Sequence, residues 1–281
     1  MKSVWITAIA LTIACAAPVM AQQRPLVTED PETIGSGNVL LEGGFDEWRD
    51  VTYPASGLEG NLIRLPTLGV SFGLSSIAEL QIDGGLYNRL KITHRLGGPL
   101  ADEMNFTGNS THDIEDLVVA TKIRILPEEA GRPAIGIRFA TRLPNAGNES
   151  GLGLDTTDFH VQGLVGKTVQ SIRVVGNFGL GILGDPTRGD NQNDVLDYGL
   201  SVARAVRQGV ELVGEINGRA STRGGTPPAG TESRSVLRLG ARVTRGTVRL
   251  DGGLLFGMTS RDPSVGLTLG ATWVFKGLTI P

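Results

Sequence analysis

Charged side chains that recur within alternating apolar segments are the residues of this chain with the types and spacing to do chemistry. The carboxylates are Glu42, Asp46, Glu79, Asp83, Asp197, Glu211, Glu215 and Asp251; the cations are Lys122, Arg124, Arg138, Arg142, Arg173, Arg238, Arg242 and Arg249. Most fall on the side opposite a stripe of Leu, Ile, Val and Phe. They also cluster by segment, acidic on the first and third, basic on the fourth, fifth and seventh. Gathered on one inner surface, such groups can select solutes by charge. With the two signs nearly balanced, they can equally neutralise one another as ion pairs that stiffen a wall. The sequence leaves both readings open.

Signatures of other chemistry fail. Gly179-Leu-Gly-Ile-Leu-Gly184 matches a dinucleotide fingerprint by its letters, but it lies inside an alternating segment with no helix to receive a pyrophosphate. Val161-Gln-Gly-Leu-Val-Gly-Lys167-Thr lacks the first glycine of a phosphate loop. His94, His112 and His160 show no metal-ligand spacing, and no Gly-x-Ser-x-Gly or comparable Ser–His pair occurs. The expectation is a chain without cofactor or metal that is not an enzyme. A net charge of −3 gives no reason to expect nucleic acid as a partner.

The elements that must position the charges are strands. Val265, Leu267, Leu269, Ala271, Trp273 and Phe275 alternate with Gly266, Thr268, Gly270, Thr272 and Val274. A period of two places these sets on opposite faces. Strands of soluble sheets usually run about five or six residues, whereas about 9–11 tilted residues cross a bilayer. The small inward side of this strand is expected to leave open space in the interior. The 40 glycines, about twice the usual share of ~7 %, argue against a helical protein.

The same alternation recurs from Val39–Phe45 through 63–74, 77–87, 117–125, 133–143 and 159–165. It continues through 172–182, 196–202, 212–216, 237–243, 248–256 and 265–275, giving about twelve strands. Trp48 ends the first segment as an expected interfacial aromatic. Connections near 75, 129, 169, 208 and 245 are short; those at 49–60, 88–115, 144–156, 185–193, 220–233 and 258–264 are mostly longer and more polar. This asymmetry marks outer-membrane barrels. Closure follows physically, since lipid offers no partner to a free N–H or C=O. Arg facing lipid at mid-membrane would cost about 2–4 kcal/mol, so the charged face must point inward. A secreted β-sandwich or jelly roll is the soluble alternative, with shorter strands and more even loops.

The sequence therefore predicts an all-β, closed antiparallel transmembrane barrel over 39–275, preceded by a cleaved signal peptide at 1–21 and an irregular periplasmic lead-in at 22–38. A short tail, 276–281, follows. Lys2, the apolar run Val4–Ala14, Pro18 and the small residues before Gln22 form the signal. The single Cys15 lies within it, and Thr12 stands where a lipoprotein signal needs a Leu-like residue. Expected partners are membrane lipid and lipopolysaccharide, the barrel-assembly machinery through the C-terminal strand, and a small-molecule solute.

Short pieces across almost the whole mature chain carry a resemblance. They are Arg24-Pro-Leu-Val-Thr-Glu-Asp-Pro31, Thr33-Ile34, Gly37 and Leu41-Glu-Gly43; Gly73-Leu74 leading to Glu79-Leu80; and Lys122–Leu126 leading to Gly131-Arg-Pro-Ala134. Arg142-Leu-Pro144, Asp158 and the terminal Gly270-Ala-Thr-Trp-Val-Phe275 complete the set. Together they resemble the "MetA-pathway of phenol degradation" family. The resemblance implies an outer-membrane barrel that passes small, hydrophobic or aromatic compounds, with no set of binding residues to transfer. The alternative is a structural or adhesive barrel, its lumen closed by its own ion pairs and by the Gln22–Asn38 segment. The tail after Phe275 departs from the usual ending of such barrels on the terminal aromatic.

Overall fold

A computed structural model describes residues 24–277. The expected signal peptide at 1–21, with Cys15, residues 22–23 of the expected lead-in and residues 278–281 of the tail lie outside the described residues.

Alternation becomes strand wherever it was expected. The strands are β1 (Asn38–Tyr53), β2 (Leu58–Gly73), β3 (Ala78–Gly85), β4 (Asn88–Arg95), β5 (Ser110–Asp113), β6 (Leu117–Leu126) and β7 (Ala134–Leu143). There follow β8 (Asp158–Val169), β9 (Ile172–Gly184), β10 (Gln192–Arg207), β11 (Val210–Ser221), β12 (Arg234–Arg245), β13 (Val248–Gly257) and β14 (Val265–Lys276). Twelve of them close an antiparallel barrel in chain order, and β4 and β5 are additional. The seam joins β1 to β14, with Val39 opposite Phe275 and Arg49 opposite Val265. Large apolar residues cover the outside: Phe178 is 65 % exposed, Leu250 58 % and Phe159 54 %. An exposed apolar surface of that extent marks an interaction surface, and around a closed barrel it suits lipid.

Two expected loops are ordered structure instead. Residues 49–60 continue β1 and β2, each 16 residues long, and the turn itself occupies only Pro54–Gly57. The segment 88–115 contains β4 and β5, with β4 pairing along Leu58–Arg64 of β2. The physical reason lies in the projecting hairpin, whose β2 edge and apolar side chains need a cover. Leu90 and Ile92 supply it, packing with Val51, Leu58 and Leu62 in a small core against which Tyr53, Met104 and Phe106 rest.

Residues 24–37 of the lead-in run inside the barrel, where the alternative reading put the Gln22–Asn38 segment, with Gly37 N–H donating to Gly73 O where the segment joins β1. We call this segment the plug.

Candidate functional site in the barrel lumen

A proline-bearing extended segment has backbone donors that a dry interior must satisfy. Inward-facing side chains do so here. Glu79 accepts from Ile34 N–H at 2.7 Å. Asn177 Oδ1 accepts from Glu29 N–H at 2.6 Å, while Asn177 Nδ2 donates to Glu29 O at 2.8 Å. Glu215 accepts from Val27 and Thr28 N–H at 2.9 and 2.8 Å.

Charges then fix the plug's side chains. Lys122 Nζ, fully buried, stands 2.9 Å from Glu79 and 3.4 Å from Glu29. Arg138 Nε lies 3.0 Å from the other Glu29 oxygen. Arg173 donates twice to Asp30, at 2.7 and 2.6 Å, and Arg124 pairs with Glu32. Arg24 donates to Thr67 Oγ1 (3.0 Å), Thr268 Oγ1 (2.9 Å) and Leu269 O (3.0 Å). It lies 3.8 Å from Asp46 and 3.6 Å from Asp251. The space expected beside the small residues of β14 is therefore filled. A Cβ on Gly270 would sit 2.3 Å from Arg24 Nε, and one on Gly73 only 1.8 Å from the carbonyl oxygen of Gly35.

The remaining charged residues singled out in the sequence have inward partners as well. Glu42 accepts from Thr272 Oγ1 at 3.1 Å, and Asp46 from Arg64 at 2.6 Å. Asp83 lies 3.9 Å from Arg138, and Arg142 Nε donates to Asp158 at 2.8 Å while also pairing with Asp116. Asp197 meets His160 at 2.6 Å. Arg238 donates to Glu215 at 2.9 Å, and Arg242 Nε to Arg24 O at 2.8 Å. Arg249 stands 3.7 Å from Glu211 and donates to Thr244 Oγ1 at 3.1 Å. Asp251 is buried. At the short-turn end, burial alone would raise the Glu128 carboxyl. The Thr168 N–H and the Arg173 charge outweigh that and hold it below the ordinary carboxylate range.

Sequence reasoning missed several members. Arg24, Glu29, Asp30 and Glu32 sit in the lead-in, which only the alternative reading put in the lumen and from which no residue was singled out. Arg64 was hidden by a register shift in β1–β2: Gly44 faces Thr67 but Asp46 faces Arg64, so Leu65 and Pro66 oppose Phe45 alone. Such a bulge reverses the alternation. Trp48 is corrected too. It is not at the lipid interface but inside, with Arg64 4.2 Å above its ring and its own edge against Gly266. The signal was available, since Trp48 shares the even-numbered phase of Glu42 and Asp46.

Towards the long-loop end the lumen is hollow. A cavity of about 610 Å³ extends from Arg24 and Glu29 up to Arg219 and Arg234, past His160, Tyr198 and Asn217. A second, of about 380 Å³, shares Trp48, Arg64, Arg142, Arg219 and Arg234 with it and reaches under the loops at Ala146–Leu154.

No protein-family model matches the chain, and no curated protein does either. Among solved structures, the chain is similar to the COG4313 outer membrane channel from Pseudomonas putida F1. Identity is 15 %, over 88 % of this chain and 98 % of that one, with a TM-score of 0.61. The NanC porin is similar over 85 % of this chain and all of its own, at 9 % identity and a TM-score of 0.51. These likenesses establish the fold of an outer-membrane barrel. One expectation is overturned. The expectation that the chain is not an enzyme does not stand, because catalytic groups are recognised by their geometry and roles rather than by sequence motifs, and missing motifs exclude no activity.

Proposed function

We propose that this protein is an outer-membrane channel or transporter for small molecules, hydrophobic or aromatic compounds among them, of the phenol-degradation transporter kind that its sequence resembles. The observation that carries the reading is the hollow long-loop half of the lumen, a vestibule of about 610 Å³ whose floor is the plug. A cavity of this size suits a small organic molecule. The inward charges, from Glu42 and Asp46 on β1 round to Asp251 on β13, form its wall and hold its floor. In this reading the outer strands contact membrane lipid and lipopolysaccharide, and β14 presents Trp273 and Phe275 to the assembly machinery.

The ion-paired plug supports a second reading, a structural barrel with a closed lumen. Single-channel recording in planar bilayers separates the two. The channel reading expects discrete steps that enlarge when residues 24–33 are deleted. A silent trace for both proteins, each folded by heat-modifiable gel mobility, would defeat it.

A further inference from the structure

Four arginines, Arg64, Arg142, Arg219 and Arg234, line the second cavity beside two carboxylates, Glu115 and Asp116. Arg64 pairs with Glu115 and Asp46, and Arg142 with Asp116 and Asp158. That leaves Arg219 and Arg234, which face each other across β11–β12 as register partners. Like charges directly opposite on neighbouring strands repel. Neither has a carboxylate within ion-pair distance among the described residues. Arg219 donates only to Glu232 O (3.0 Å) and Gly230 O (2.7 Å), and Arg234 only to Thr52 O (3.2 Å). Nearby acids are engaged elsewhere. The Glu232 carboxylate accepts from Gly230 N–H, Asp158 from Arg142 and Gly184 N–H, and Asp262 from Ser235 and Thr259. Each guanidinium carries about five donors in a planar fork, so most remain available.

Much of the remaining lining is apolar. Trp48, Val51, Tyr53, Leu62, Leu152 and Leu154 line the same cavity. Two arginines outside any ion pair, in a cavity of about 380 Å³ that aromatic and aliphatic side chains also line, match a molecule with an anionic head and an apolar body.

We propose that this cavity binds a small apolar carboxylate, its head held between Arg219 and Arg234 and its body against Trp48 and Leu152. The proposal rests on the transport reading insofar as the bound molecule is the solute. The site itself can be tested without transport.

The test is isothermal titration of the full folded protein in zwitterionic detergent with 3-phenylpropionate. Its neutral counterpart 3-phenylpropan-1-ol and the bodiless anion acetate serve as controls. Saturable one-site binding of the carboxylate is expected, at least about tenfold tighter than either control. R219Q and R234Q should each weaken it by about tenfold or more, and the double variant should abolish it. If the double variant loses the gel mobility of a folded barrel, R219K/R234K takes its place. It keeps the charge but not the fork, and should bind at least about tenfold more weakly. Equal affinity for acid and alcohol, unchanged binding by the double or substitute variant, or no binding of the acid up to about 10 mM would each overturn the site. Silent bilayer recordings with carboxylate binding intact would remove the transport reading and leave the site. Conductance without binding would remove the site alone.

Discussion

The two halves of the lumen use the same residue types to opposite ends. Towards the short turns, Lys122, Arg124, Arg138 and Arg173 each meet a plug carboxylate, and the interior is filled. Towards the long loops, Arg219 and Arg234 meet only backbone carbonyls beside open space. A buried charge is tolerated when paired and costly when alone. The filled half is thus built for permanence, while the hollow half keeps unspent attraction for something that arrives and leaves. The charge pattern of a barrel strand does not distinguish these uses. What separates them is whether a further segment of chain supplies the counter-charge.

That contrast can be broken most severely at Lys122. Lys122→Met strands Glu79 and Glu29 together in a buried site and should cost about 3–5 kcal/mol, read as a fall in thermal unfolding midpoint in detergent. Arg219→Gln in the hollow half should cost less than about 1 kcal/mol. Equal losses would erase the distinction. Next in size is Arg173→Gln, which forfeits charge-assisted bonds to Asp30 and Glu128, about 1–3 kcal/mol in all. Amide exchange should quicken across Glu29–Ile34 and stay unchanged in β4, which has no contact with the plug's ion pairs. Gly73→Ala puts a methyl against Gly35 O and should displace the base of the plug at about 1–3 kcal/mol, without unfolding the barrel. Unaltered exchange at Gly37 would argue that Gly35 and Gly73 are not in close contact.

The smallest effect concerns pH. Because the folded Glu128 carboxyl titrates below its ordinary range, its contribution is complete above that range and is lost as pH falls through the lower folded value. Protection of the Thr168 amide should therefore persist through mild acid and then decline. E128Q should flatten that dependence.

The barrel was legible because its two environments write themselves into a period of two. Phe139, Phe159, Leu200 and Leu250 read outward and are exposed, while Lys122, Asp197 and Glu215 read inward and are buried. The interior was less legible. A single bulge opposite Phe45 reversed the phase that would have revealed Arg64. Arg24, Glu29 and Asp30 carry no periodicity at all, because a segment threaded through a lumen takes its shape from the wall around it. The apolar cap under 88–115 was missed for a related reason, since Leu90 and Ile92 form too short a run to outweigh polar neighbours. Arg219 and Arg234 sat at strand ends and looked like the start and finish of a loop.

The plug is continuous with β1, and β1 is half of the seam, with Val39 beside Phe275. Biogenesis therefore meets a problem of order. The plug is made before β1 and comes to lie inside the barrel, and the strand that carries it is joined by β14, the last strand described. Whatever zips the seam must hold the plug on the concave side of the growing sheet, or pass it inward before the final pairing.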